Sequence, residues 1–337
     1  MKIAIHNGKR FNIEWRNYCH SNGIAYKLVN CYSNSIIHDL SDCDALMWHF
    51  EQENPRDVLF AKQLLYSVQS SGKRVFPDFN TVWHFDDKVG QKYLLESIGA
   101  PLVPSYVFYT REEAIKWLEG ATFPLVNKLR TGSASIHVKK VSTRAMALRI
   151  INKSFKRGFR AFKRKKYLLE QIRRYRAGIE GFECVLKGMR DFIFVPRSLR
   201  GLPTQKGYVY FQEFIPDNDH DIRLIIIGDR AFGIKRLVRH NDFRASGSGI
   251  LRFGKELFPE GLIKTAFDIS DRLKTQCIAM DFLHKEGKPL LVEISFGFPY
   301  KKFSEECPGY WDRYLNWHEG KFNPYGWMVE NVIKINR

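Results

Sequence analysis

Apolar positions along the first hundred residues alternate between short continuous runs and longer stretches at helical spacing. The runs at 2–6 (KIAIH), 26–32 (YKLVNCY), 44–50 (DALMWHF) and 74–77 read as strands. The stretches at 11–22, 55–71 and 87–98 read as helices, the first ending at the Asn22–Gly23 turn signal. Pro55 opens the second of these, and Gly72 and Gly99 follow the ends of the second and third. Pro at the start and Gly past the end is the usual helix asymmetry. Strand–helix alternation of this length predicts a small parallel α/β domain.

The rhythm changes after residue 100. Strands are predicted at 106–109, 124–128, 191–196, 208–214, 222–228, 231–238, 276–283 and 289–294, with helices at 111–118 and 259–274. This is an α+β pattern with antiparallel sheets. The expected division is an N-terminal α/β domain over 1–86, a small subdomain over 87–210, and a C-terminal subdomain with an aromatic tail over 211–337. The longest apolar runs are far shorter than the ~20 residues of a membrane span. The first residues, MKIAIHNGKRF, hold no signal-peptide core, so the expected location is the cytoplasm. Six scattered cysteines without a C-x-x-C pair predict a reduced chain without structural zinc.

Charge adds a partner class. The chain has 54 Lys and Arg against 36 Asp and Glu, a net +18. Residues 153–176, KSFKRGFRAFKRKKYLLEQIRRYR, hold eleven Lys or Arg and one acid, Glu170. Such a stretch either steers an anionic partner or is a solvated basic helix.

Neither G-x-x-x-x-G-K-[ST] nor an early G-x-G-x-x-G occurs, which argues against a P-loop or dinucleotide domain. Three other segments carry candidate chemistry. In FPLVNKLRTGSASIHVKKV (123–141) a strand ends at Lys128 and meets a small loop, 132–135. Small residues let backbone N–H groups approach phosphate, though a plain hairpin turn reads the same. In YVYFQEFIPDNDHDIRLIIIGDRAFGIKR (208–236) a strand runs into Gln212, Glu213, Phe214 and Ile215, then an acidic turn. Exposed backbone there could pair with an adenine edge; a simple β-hairpin is the alternative. In IAMDFLHKEGKPLLVEISFGFP (278–299) Asp281 and Glu293 sit in apolar strands. Ionised acids in such strands need a cation or arginine partners.

Taken in order and spacing, these segments resemble the ATP-grasp superfamily, in its carboxylate–amine ligase branch. That branch includes glutathione synthetase, D-alanine–D-alanine ligase and ribosomal-protein glutamate ligases. The resemblance covers about 85–300. It implies that Lys88, after Asp87, touches phosphate and that Lys128 lies near the α-phosphate and adenine. It implies a triphosphate-covering loop at Gly132, Ser133 and Ser135, and an adenine linker at Gln212, Glu213, Phe214 and Ile215. Asp217 or Asp219 would meet ribose. Arg223, Arg236 and Arg244 would line the substrate and γ-phosphate pocket as the catalytic arginines. Asp281, Glu293 and Ser295 would hold Mg²⁺, with Ser295 standing where the family usually has Asn.

The implied reaction uses ATP and Mg²⁺ and no protein nucleophile. A carboxylate attacks the γ-phosphate to give an acyl phosphate, and an amine displaces phosphate to leave an amide. The implied partners are an amino acid or other amine and a carboxylate acceptor, with the basic segment favouring an anionic one such as a sugar acid or acidic protein tail. The C-terminal run PGYWDRYLNWHEGKFNPYGWMVENVI resembles the tail of ATP-grasp proteins of bacterial surface-polysaccharide synthesis. Its rings either stack on sugar or cap the core. Two readings compete with a ligase. One is an ATP-grasp kinase of a polyanionic small molecule. The other is a non-catalytic polyanion or nucleic-acid binder, suggested by the basic–aromatic FKRGFRAF at 155–162. Peripheral membrane contact is a further open possibility.

Overall fold

A computed structural model describes residues 1–52, 54–132, 137–160, 164–176, 181–194, 203–240, 242–299 and 302–334. The first part is a parallel sheet of β1 (Ile3–His6), β2 (Tyr26–Val29), β3 (Ala45–Met47) and β4 (Arg74–Phe76), in the order β2-β1-β3-β4. Every residue of β1 and β3 is buried, as expected for parallel strands covered on both faces. The helices are α1 (Phe11–Ser21), α2 (Ile36–Asp39), α3 (Pro55–Ser70) and α4 (Phe79–Val82). The predicted α/β alternation is therefore present. The short α2 and α4 lie between the predicted elements.

The second part starts with α5 (Lys88–Ser97) and contains two antiparallel sheets. The smaller has the order β5-β8-β6-β7, from β5 (Ser105–Phe108), β6 (Leu125–Lys128), β7 (Lys139–Val141) and β8 (Val209–Glu213). Helices α6 (Arg111–Trp117) and α7 (Arg144–Lys156) cover one face, packing Ala114, Ala147 and Ile151 on Leu125, Val209 and Phe211. The larger sheet has seven strands: β9 (His220–Ile227), β10 (Arg230–Leu237), β11 (Leu251–Arg252), β12 (Cys277–Lys285), β13 (Lys288–Ser295), β14 (Gly309–Asp312) and β15 (Trp317–Glu319). Its main path is β13-β12-β9-β10-β14-β15, with β11 paired to β10.

One prediction is corrected. A strand was expected at 191–196, but residues 191–193 end a helix, α9 (Glu183–Ile193), which pairs with α8 (Arg164–Arg176); residues 195–196 lie outside the described residues. The apolar run FIFV has no period of its own. The helix is decided by Cys184, Val185, Gly188 and Asp191, which share one buried face. A Cβ at Gly188 would lie 3.1 Å from Gln171, so glycine permits the close approach of α8 and α9.

Helix α10 (Glu260–Leu273) packs Leu262, Ile263, Ala266 and Phe267 beneath the large sheet, against Leu224, Ile226, Met280 and Phe282. The helix α11 (Lys302–Glu306) and the C-terminal α12 (Pro324–Lys334) follow. The tail returns to the first part of the chain. Tyr325, Trp327 and Met328 join Phe11, Trp15, Ile225 and Phe232 in one core, and Trp311 is buried against Phe258. Much of the aromatic tail is thus core rather than exposed ring surface.

Gln91 of α5 fastens that helix to the large sheet. Its Nε2 donates to Ile294 O at 2.8 Å and His84 O at 3.1 Å, and its Oε1 accepts from Ile294 N–H at 3.3 Å. Gln91→Leu leaves these buried groups unpaired and is expected to lower unfolding free energy by about 1–3 kcal/mol. A urea midpoint equal to wild type would contradict this.

Candidate active site

The site begins at a helix start. Asp87 caps α5 by accepting from Gly90 N–H at 2.9 Å, and Lys88 becomes the first helical residue. The Lys88 backbone N–H donates to Arg130 O at 2.9 Å. Its Nζ donates to Gly132 O at 2.8 Å and pairs with Glu293 Oε1 at 3.1 Å. Burial works against the Lys88 ammonium, yet Glu293 and Asp86 outweigh it and raise its pKa above the ordinary lysine value. Arg130 closes the same corner through Asp87 Oδ2 at 2.6 Å.

Asp86 is a participant the sequence reading did not single out. Its Oδ1 accepts from Gly132 N–H at 2.8 Å, and burial raises its carboxyl to about 6. The signal was the doubled acid before Lys88. Gly132 has φ of +121°, and a Cβ there would lie 3.0 Å from the His137 ring. Glycine is required at this turn. Ser133 and Ser135, expected in the phosphate loop, lie outside the described residues.

Lys128 is the second cation. It ends β6 opposite Tyr210 of β8 and is buried. Burial lowers its pKa to about 8; Glu293 and Asp281 oppose that shift and Lys88 adds to it. Its Nζ has no hydrogen-bond or ion-pair partner among the described residues. A shielded ammonium without a counter-ion is costly, and an anion placed beside it relieves that cost.

The large sheet supplies the opposing wall as a row of charges across four strands. Glu293 of β13 faces Asp281 of β12, Asp281 faces Arg223 of β9, and Asp221 of β9 faces Arg236 of β10. Arg223 grips Asp281 with Nε at 2.6 Å and Nη2 at 2.8 Å, and Arg236 Nη2 adds a contact at 2.9 Å. Arg236 also forks onto Asp221, at 2.6 Å through both Nε and Nη2. Burial alone would raise the Asp281 pKa, but Arg223 and Arg236 outweigh it and hold the carboxyl well below the usual range.

These contacts bear on the expected metal ligands. Glu293 Oε2 has no hydrogen-bond partner among the described residues, and the Glu293 side chain is partly exposed, so this carboxylate fits a divalent cation. Asp281 could serve only by sharing its oxygens with Arg223 and Arg236. The Ser295 hydroxyl is folded back on Gly297, 3.1 Å from both its N and O. No cluster of three or more His, Cys, Asp or Glu suited to a metal occurs among the described residues.

The expected linker follows β8. Gln212 Nε2 donates to Ser105 Oγ at 2.9 Å, and Glu213 Oε1 accepts from Tyr106 Oη at 3.1 Å. Their side chains are therefore engaged within the small sheet. Phe214 and Ile215 lie beyond the last paired residue, Glu213, so their backbone polar groups leave the ladder. Phe214 meets Phe243 edge-on at 5.7 Å, with the Lys140 ammonium 3.8 Å from its ring centroid. Ile215 lines a cavity of about 510 Å³ with Asn218, His220, Ile222 and His284. Asp219 is exposed and pairs with His220 Nδ1. Arg244 is held by Asp242 through Nε and Nη2, both at 2.8 Å, on the loop after β10. Lys88, Lys128, Asp281, Glu293, Arg223 and Arg236 thus form one electrostatic cluster, while Arg244 and Asp219 are anchored to local partners.

The loop bearing Arg244 also forms a cavity of about 690 Å³ lined by Lys140, Val238, Arg239, His240, Asp242 and Phe243. The Arg239 Nη1 and Nη2 atoms are shielded from solvent and have no hydrogen-bond partner among the described residues. Sequence reasoning missed Arg239 and Lys140, since nothing separates them from the many other basic residues. His49 is buried on the Phe11 ring at 4.1 Å, and burial lowers its pKa to about 3.

No family model matches the sequence, and no curated protein matches it significantly. Solved structures do match. A RimK-domain ATP-grasp protein from Sphaerobacter thermophilus is similar at TM-score 0.57 and 16% identity, covering 99% of this chain and 100% of that one. D-alanine–D-alanine ligase of Bacillus anthracis, complexed with ATP, is similar at TM-score 0.54 and 14% identity, covering 99% and 96%. The biotin carboxylase domain of Hydrogenobacter thermophilus 2-oxoglutarate carboxylase, in complex with MgADP, is similar at TM-score 0.60 and 13% identity, covering 99% and 69%. At these identities the likeness shows the fold, which is the ATP-grasp fold.

Lys128 yields a prediction of definite sign. An unfolded lysine titrates near 10.5 and Lys128 in the fold near 8. Between those values the unfolded chain binds the extra proton, so stability rises with pH and is lowest below about 8. Lys128→Met is expected to raise unfolding free energy at neutral pH by ~2–3 kcal/mol and to flatten that rise. Urea midpoints measured at neutral pH and near pH ~9.5 test this. A destabilised variant, or one with the rise intact, would contradict it.

Proposed function

We propose that this chain is an ATP-dependent carboxylate–amine ligase acting on an anionic carboxylate acceptor. The observation that carries the reading is Lys128, a buried cation with no ion-pair partner among the described residues, in the same electrostatic cluster as the Lys88–Glu293 pair. The ATP complex of the Bacillus ligase and the MgADP complex of the carboxylase domain support ATP and Mg²⁺ as the missing charges.

In this reading Lys128 and Lys88 bind phosphate oxygens, and the Phe214–Ile215 backbone receives the adenine edge. Glu293 is the residue best placed to hold Mg²⁺, which supplies charge neutralisation on the phosphates. The acceptor carboxylate oxygen forms a bond to the γ-phosphorus as the bond to ADP breaks, giving an acyl phosphate. The amine then adds at the acyl carbon, phosphate leaves, and one proton is released with the amide. Among the described residues no buried nucleophile–base pair is needed for this course; positioning and charge do the catalysis. Arg223 and Arg236, already locked by Asp281 and Asp221, give that wall fixed N–H donors in a preorganised arrangement.

The acceptor's chemistry follows from the cavity after β10. The Arg239 guanidinium end has no partner among the described residues and Lys140 adds a second cation, so the seat suits a carboxylate or phosphate on the acceptor. A sugar acid of a surface polysaccharide meets that requirement, as does an acidic peptide tail.

The test is hydroxylamine trapping with MgATP and a panel of polyanionic carboxylates. A ligase yields ADP and a hydroxamate only when a suitable acceptor is present. Arg239→Ala is expected to raise the acceptor KM by about tenfold or more, as loss of a charge-assisted contact does, and to leave the KM for ATP unchanged. A phosphorylated product inert to hydroxylamine would contradict the proposal and point to a kinase.

A further inference from the structure

The helix α9 is amphipathic in a direction the fold does not use. Its buried side, formed by Cys184, Val185, Gly188 and Asp191, faces α8, where Cys184 Sγ donates to Gln171 O at 3.4 Å. Helical spacing puts Phe182, Leu186, Met189 and Ile193 together on the opposite side. They are 52, 52, 50 and 63% exposed, and Phe194 continues the apolar surface at 68%. On α8, Leu169 and Tyr175 are also exposed, and Tyr175 meets Phe182 edge-on at 5.4 Å. A contiguous apolar surface of this kind marks an interaction site.

The α8–α9 hairpin is also tied off at its base. Phe159 and Gln205 exchange two backbone hydrogen bonds, both 2.8 Å. Gly158 has φ of +66° beneath this neck, where a Cβ would lie 2.6 Å from Gln205 O. The small sheet pairs β6 directly with β8. The hairpin is therefore an excursion between β6 and β8 closed by the Phe159–Gln205 pair.

We propose that the α8–α9 hairpin docks this protein on an anionic lipid bilayer, with the Phe182–Leu186–Met189–Ile193 stripe at the headgroup–acyl boundary. Charge selects the occupant. Lys187 and Arg190 lie along one side of the stripe on α9, whose acids are Glu183 and Asp191, the latter paired with Arg190 at 2.8 Å; Arg173 and Arg176 lie on α8. The stretch 153–176 holds eleven basic residues and one acid. A second copy would set like charge against like charge, whereas an anionic surface complements it. An apolar stripe edged by Lys and Arg is the composition of a helix lying in the interface plane. No helix among the described residues is long and apolar enough to cross a membrane, so this is surface contact. The hairpin reaches the candidate site through Arg173, whose Nη1 lies 3.3 Å from Asp242 Oδ2 on the loop that carries Arg239 and Arg244. Docking would place that loop beside the bilayer surface.

Co-sedimentation of the full chain with vesicles tests this, comparing pure phosphatidylcholine with vesicles containing about thirty per cent phosphatidylglycerol. Expected is binding at least ~10-fold stronger to the anionic vesicles, weakening as salt rises. The double variant Leu186→Glu, Met189→Glu, both at solvent-facing positions, should lose at least ~10-fold of it. Its melting temperature and its response to MgATP should match wild type. Equal vesicle binding by the variant, or no binding by wild type, would overturn the proposal. A wild-type dimer that the variant abolishes on sizing, without vesicle binding, would assign the stripe to a second copy instead. Vesicle binding abolished equally by added single-stranded nucleic acid in both proteins would assign the charge to a polyanion and also overturn it.

Discussion

A buried lysine with no ion-pair partner among the described residues is the constraint from which the rest of the site follows. Lys128 occupies that position at the end of β6, and Lys88 stands nearby with a partner, Glu293. Glu293 and Asp86 together offset Lys88, and burial still holds the Lys128 pKa down at about 8 despite Glu293 and Asp281. Such an arrangement costs folding energy and persists because something else depends on it. In the proposed reading an incoming polyphosphate supplies negative charge there, and the same burial that penalises Lys128 alone strengthens its attraction to that ligand.

The fold makes the constraint possible by bringing three separate stretches to one corner. The Asp87 cap fixes where α5 begins, the turn at Gly132 gives Lys88 an acceptor, and Gln91 holds α5 to β13, which carries Glu293. Across the large sheet, Arg223 and Arg236 are pinned by Asp281 and Asp221, so the wall opposite is rigid before any ligand arrives. Tyr325, Trp327 and Met328, returning to pack with Phe11 and Trp15, bind the first and last parts of the chain into one core.

Much of this was legible because residue type and chemistry coincide. Lys128 closes an apolar strand, and Asp281 and Glu293 are single acids inside apolar strands, so each violates local pattern in a way that calls for a partner. The partner was less legible. Asp281 turned to Arg223 and Arg236 as well as standing at a possible metal position, and only strand register reveals that. Asp86 and Arg239 escaped notice because their importance lies in what surrounds them, a buried turn in one case and, among the described residues, no acceptor for Nη1 and Nη2 in the other. The run at 191–196 misled for a different reason. Its apolar residues suggested a strand, whereas at 191–193 the outcome was set by Gly188 letting α9 approach α8. Exposed Phe and Ile there mimic the buried face of a strand when read without their neighbours.

The most direct measurement is the melting temperature of wild type, Lys128→Ala and Glu293→Ala, each with MgATP and separately with magnesium tripolyphosphate. A specific nucleotide site stabilises by mass action, about 2.7 kcal/mol at a hundredfold excess over Kd. The account predicts a clear upward shift for wild type with MgATP, a much smaller one with tripolyphosphate, and little response from either variant. If all three proteins respond alike to both anions, the stabilisation belongs to the basic surface and the nucleotide site at Lys88, Lys128 and Glu293 is contradicted.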